Sequence, residues 1–200
     1  MPGCLLIAVL LPGCSSAPVR TSESAGAASA YRVRLNQLKS LDHWTLGGRL
    51  AISDGKDGGS GNLIWQNDGD ETRISFHGAM GKGAWQLHAG PAGARIELAN
   101  GEVHTASTVA ALVVKEVGWQ VPIDALSWWV KGLADPSTWE SRELNENGQL
   151  VRLSQFGWEV EFGNYGEVSG SSLPSKLTAR RGKYVIKMVV KDWDLKFEAG

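Results

Sequence analysis

Apolar residues fall along this chain in three different rhythms. Leu5 to Leu11 is an unbroken apolar run, too short to cross a bilayer as a helix and suited to the core of a secretory signal. Val33, Leu35 and Leu38 then predict a short helix over 30–40. From Trp44 the period drops to two. Leu46, Leu50 and Ile52 are followed by Leu63 and Trp65, Ile74 and Phe76, Trp85 and Leu87, then Ile96 and Leu98. Gly, Asn and Asp clusters punctuate them: 54–61, 67–70, 78–82, 90–93 and the hairpin dipeptide Asn100-Gly101. This predicts five or six antiparallel strands between 43 and 105. A helical pair follows. Val109, Leu112, Val113 and Val117 share one face, with Gly118 as the stop. Ile123, Leu126, Trp129 and Val130 share another, started by Pro122 and closed by Gly132. Strand patterning resumes at Trp139 and runs to Phe197, clearest at 150–156, 158–162, 177–181 and 184–190. Strands, two helices and strands again predict an α+β domain in which the helices cover one face of a meander.

Composition narrows the functional classes. Lys+Arg 20 against Asp+Glu 21 leaves a formal charge of −1. That excludes a basic nucleic-acid binder and a polybasic membrane-surface protein on bulk electrostatics. The 42% hydrophobic content excludes wholesale disorder. Nine Trp beside four Phe and three Tyr, with 25 Gly, point to a turn-rich β protein with a bulky apolar interior.

The N-terminus sets the compartment. Leu11-Pro12-Gly13-Cys14 resembles the bacterial lipobox, although no Lys or Arg precedes the apolar run and Pro12 is unusual before the Cys. The resemblance implies a signal peptide over 1–13, diacylation of Cys14, and a mature chain beginning there. Ser15 follows the Cys where an Asp would resemble an inner-membrane retention signal, so outer-membrane sorting is implied. The alternative is an ordinary signal with an incidental Cys. Cys4 would leave with the signal, so the folded part has no disulfide and no cysteine metal site. Residues 14–29, rich in Ser, Ala, Gly and Thr, are expected to be a flexible lipidated tether, with the domain over 30–200.

Recognisable catalytic chemistry is absent from the sequence. There is no GxSxG, GxGxxG, P-loop or HExxH. His43, His77, His88 and His104 lack metal-ligand spacing and suit surface strand positions, and Asp54 and Asp57 suit a solvated turn. No catalytic residue, metal or cofactor is expected. An envelope hydrolase built around His77 or His104 would need a Ser and an acid brought together from elsewhere in the chain.

Five local patterns, in order, resemble the LolB family of outer-membrane lipoprotein receptors. They are Trp44-Thr-Leu-Gly-Gly-Arg-Leu-Ala51; the turn Gly78-Ala-Met-Gly81; the Gly118 to Gly132 segment with its Gly, Pro, Leu, Trp, Gly spacing; Gly157-Trp158 with Phe162, Tyr165 and Leu173-Pro174; and Lys191-Asp-Trp193. The resemblance implies an antiparallel, half-open β-barrel of about eleven strands with a short helical lid over an apolar cavity. It also implies acceptance of acylated lipoproteins from a LolA-like periplasmic carrier and their insertion into the outer membrane, without ATP. The expected partners are that carrier, the acylated cargo and outer-membrane phospholipid. The chain is expected to be monomeric, without nucleic acid.

Candidate residues follow. Trp65, Ile74, Phe76, Trp85, Leu112, Leu126, Trp129 and Trp158 are the expected acyl-cavity lining, though an ordinary filled barrel core would use the same side chains. Met80, between Gly78 and Gly81, is the one large apolar residue in its turn. It occupies the position where the family carries a protruding, membrane-touching Leu. On physics alone a tip residue folded back onto the sheet is the rival reading. Arg49 and Lys82 are candidate carrier contacts. The functional alternative is a lipid-anchored scaffolding lipoprotein with a filled core.

Overall fold

Burial alternates along most strands as the pleat requires, so one face of each is apolar and turned to a shared interior. The structure, a computed structural model, describes residues 24–79, 83–117, 122–138 and 141–197. The proposed signal peptide, Cys14, Met80 and Gly81 lie outside these residues. The elements are α1 (Ala25–Leu38), β1 (His43–Ser53), β2 (Gly58–Asp68), β3 (Glu71–Gly78), β4 (Trp85–Gly90), β5 (Gly93–Leu98), β6 (Val103–Ala106), α2 (Val109–Val117), α3 (Ile123–Trp129), β7 (Arg142–Leu144), β8 (Leu150–Gln155), β9 (Trp158–Val168), β10 (Ser171–Arg181) and β11 (Tyr184–Lys196).

The strands form one antiparallel sheet of 11, ordered β6-β5-β4-β3-β2-β1-β11-β10-β9-β8-β7. Each half is a meander. The halves join where the first strand pairs with the last, from His43 opposite Lys196 to Ser53 opposite Val185. The sheet ends at β6 and β7, which do not pair with each other, so the barrel is open as the family resemblance implied. Both edges are short, four and three residues, which limits edge-to-edge association. The chain crosses the gap between them through α2 and α3. The expected helical pair and half-open architecture are therefore both present.

A bulge places the closing strand's rings. Register along β1 and β11 shifts between Gly47 and Gly48, where β11 carries the extra residue Lys191. Before the shift Ile186, Met188 and Val190 are buried; beyond it the inward phase passes to Trp193 and Leu195. Trp193 thereby meets Trp44 edge-on at 5.6 Å, and Trp44 meets Trp65 at 5.4 Å. Gly48 faces the bulge, and a Cβ there would strike the Val189 carbonyl. This close approach is why the strand reads Gly-Gly at its centre.

Three boundaries differ from the pattern. α1 begins at Ala25, so the flexible tether cannot extend to residue 29. Ser24 caps the helix, its Oγ accepting from Ala27 N at 3.1 Å. The inward face is Ala27, Tyr31, Arg34 and Leu38, whereas Val33 is exposed. Ala27 and Arg34 on the inward side, with Val33 apolar on the outward side, blurred that face in a hydrophobicity reading. Phe156 ends the expected 150–156 strand in a turn, since Phe156 and Gly157 both take positive φ (53° and 73°) and form a two-residue hairpin. β9 and β10 are longer than their apolar cores, reaching Val168 and back to Ser171.

Candidate functional site

Beneath the two inserted helices lies a narrow cavity of about 30 Å³, room for about one water molecule. Its wall is wholly apolar. β1 supplies Leu50 and Ile52, β2 Leu63 and Trp65, β3 Ile74, β4 Trp85 and Leu87, β11 Met188, α2 Val113, and α3 Ile123 and Leu126. One half of the open sheet thus forms the floor and the helices form the roof. A void without polar partners holds no stable water, so the space is suited to hydrocarbon.

The expected lining residues separate into three groups. Trp65, Ile74, Trp85 and Leu126 border the cavity. Phe76 faces a neighbouring open groove of about 890 Å³ shared with Gly78, Ala79, Gly83, Ala84, Trp85 and Leu98. Leu112, Trp129 and Trp158 are fully buried but lie outside the cavity wall. Leu112 gives its place to its neighbour Val113. Trp129 is tied into a polar network, and Trp158 belongs to β9 in the other half of the sheet, under the Arg181 guanidinium at 5.2 Å. Leu50, Ile52, Leu63, Leu87 and Met188 were overlooked because ring size was weighted above strand phase. Their alternation with exposed neighbours was the available signal. Of the candidate carrier contacts, Arg49 is exposed on β1, and Lys82 is outside the described residues.

The helices are fastened unequally. α3 ends in a Schellman motif: Gly132 N donates to Trp129 O at 2.8 Å and Leu133 N to Trp128 O at 3.1 Å, with Gly132 at φ 72°. Immediately beside it the buried Gln155 amide uses all its capacity. Its Oε1 accepts from Trp129 Nε1 (3.0 Å) and Asp135 N (2.9 Å), and its Nε2 donates to Asp135 O and Thr138 O (both 2.7 Å). The end of α3 is thereby clamped to β8. α2 has no comparable clamp among the described residues. Its polar tie is Glu116, whose carboxylate faces His104 Nδ1 of β6 at 3.3 Å and Lys115 at 3.1 Å. The other ring nitrogen of His104 faces Glu102 at 3.8 Å, so both its nitrogens face carboxylates rather than a serine. The roof is therefore held by polar bonds at the α3 end and by apolar packing of Leu112 and Val113, with the Glu116 contact, at the α2 end.

Lys131 locks the α3 end to α1. Its Nζ donates to Leu41 O at 3.1 Å and Leu38 O at 3.4 Å and lies 4.7 Å from the Trp128 ring. Burial drives its pKa from 10.5 down to about 8, with Asp42 opposing. Between those values the folded chain holds fewer protons than the unfolded chain, so this group makes stability rise with pH from about 8 to 10.5. Urea unfolding at pH 7.5 and 9.5 checks it. Relative to Lys131→Met, the natural chain should gain on the order of 1 kcal/mol per pH unit across that window. Equal pH slopes for the two proteins would contradict the assignment.

Comparisons with known proteins agree with this architecture. The family model described as "Outer membrane lipoprotein LolB" matches residues 42–193. The outer-membrane lipoprotein LolB of Pseudomonas putida (strain GB-1) is 35% identical over 185 residues, covering 92% of this chain and 90% of its own. A relative of the same name from Stutzerimonas stutzeri (strain A1501) is 33% identical over 188 residues, covering 94% and 91%. Among solved structures, the LolA superfamily protein NE2245 from Nitrosomonas europaea superposes with a TM-score of 0.56 at 7% identity, over 88% of this chain and 96% of that one. That likeness concerns the fold alone.

Proposed function

Since the chain belongs to the LolB family, we propose that it is an outer-membrane lipoprotein receptor that shelters the acyl chains of other lipoproteins and releases them into the bilayer. It faces the periplasm, held by lipid on Cys14, and receives cargo from a LolA-like carrier. It acts as a monomer, contacts phospholipid through the turn carrying Met80, and performs no catalysis. The observation carrying this reading is the cavity between a half-open sheet and two helices, its wall wholly apolar among the described residues.

Energetics explain why such a device is needed. Each buried CH₂ is worth about 0.8 kcal/mol, so a sixteen-carbon chain is worth on the order of 13 kcal/mol. Escape of such a chain into water is too slow to serve as a route. It must pass from one apolar enclosure to another and then to the membrane. The present void is far too small for a chain of that length, so uptake requires the enclosure to expand. An apolar wall suits this, because incoming hydrocarbon replaces the apolar contacts that opening breaks. No nucleotide is needed, since differential affinity for successive sites drives the transfer.

Titration with bis-ANS separates this reading from a scaffolding protein with a filled core. The chain carrying Cys14→Ala is expected to bind the dye saturably and to give it up to palmitoyl glycerol. Weak, non-saturating fluorescence unaffected by that competitor would favour the scaffold.

A further inference from the structure

Trp85 separates two spaces. It is the one described residue that borders both the narrow cavity and the wide groove outside it. Its indole stacks on Phe76 with centroids 5.5 Å apart and planes at 22°, and it is only 8% exposed. The groove lies at the strand ends that hold Ser60, Gly78 and Trp85. A second recess, of about 290 Å³, lies at the opposite ends of the same strands, beside Asn67, Thr72 and Gly90. Trp65 and Ile123 border both that recess and the cavity. The cavity thus has an aromatic wall at each end.

The two ends differ in chemistry. The groove sets Phe76, Ala79, Ala84 and Leu98 beside Asp54, Asp57, Ser60 and Asn100, and its apolar side is a surface along which hydrocarbon can lie. The recess sets Asn67, Asp70, Thr72, Asp124 and Ser127 beside Ala89, Val109 and Trp128, so more of its wall is polar and gives hydrocarbon less. Two of the groove's three carboxylates are partly neutralised, Asp54 by Lys183 at 3.7 Å and Glu116 by Lys115 at 3.1 Å. Their sign favours a neutral acyl ester over a free fatty acid. On the reading that the cavity receives acyl chains, we infer that Trp85 is the door: an acyl ester lies first in the outer groove and enters when the Trp85 indole swings off Phe76, while the Trp65 end stays shut.

A door controls rates in both directions more than it controls affinity. The test is stopped-flow fluorescence with a pyrene-labelled monoacylglycerol and the full chain carrying Cys14→Ala. Adding Trp85→Ala is expected to raise the association and release rates together by about tenfold. Trp65→Ala, which removes the same ring from the other end of the cavity wall, is expected to raise the association rate less than about a third as much. Trp85→Val, better suited to a strand, takes its place if the Ala variant does not fold, with the same expectation. Uptake by the parent chain at a rate that Trp85 variants do not change, or that Trp65→Ala raises equally, overturns the door and leaves the receptor standing. A parent chain that takes up no probe overturns the receptor reading and the door with it.

Discussion

Replacing Gln155 with Ala should destabilise the fold by about 3–5 kcal/mol in urea unfolding, among the largest losses available to one substitution here. The reason is a count of stranded groups. Trp129 Nε1, Asp135 N, Asp135 O and Thr138 O all depend on this one amide. Each buried polar group left without a partner costs about 1–3 kcal/mol, and water entering the space vacated by the amide recovers part of that sum. Apolar volume hardly enters. Gln155→Leu, which restores bulk without polarity, is therefore expected to rescue little. A loss below about 1 kcal/mol in the Ala variant would show that the clamp on α3 lies elsewhere.

Met80→Glu should act in the opposite way, leaving stability within about 0.5 kcal/mol while delivery to the bilayer falls by roughly tenfold or more. Burial of one Met side chain in lipid is worth only about 1.5–3 kcal/mol. Such a contact cannot anchor a protein, but the acylated Cys14 of the proposed mature chain would supply the anchor. What the turn contributes is local disturbance of the lipid at the moment cargo leaves, and a carboxylate there opposes entry into the acyl region. Uptake of acyl groups in solution is expected to be unchanged, since the proposed role of this turn is delivery to lipid. Liposome insertion of a cargo lipoprotein at the parent rate would remove Met80 from the delivery step.

Much of the architecture was legible because it depends on periodicity. Alternation marked Leu63, Trp65, Ile74 and Leu87 as inward, and the three- and four-residue spacing after residue 108 marked the roof helices. What escaped depends on contacts between distant segments. Gln155 is an ordinary polar residue until the chain after α3 folds onto β8. Lys131 follows three apolar residues and reads as a solvated helix end, yet the carbonyls of Leu38 and Leu41 draw it inside. The helix at 30–40 was legible, but the start of α1 at Ala25 escaped because the Ala- and Ser-rich stretch before residue 30 looks like linker. Trp129 and Trp158 illustrate the limit for the site itself. Both are inward and fully buried, but whether an inward ring borders a void depends on how the sheet coils and where the helices rest.

The most direct test presents a carrier charged with a triacylated lipoprotein to the chain carrying Cys14→Ala, without nucleotide, and weighs the products by native mass spectrometry. The account predicts a one-to-one complex of this chain with the acylated cargo and an emptied carrier. Cargo that remains wholly on the carrier, with the chain properly folded and uncomplexed, would contradict it.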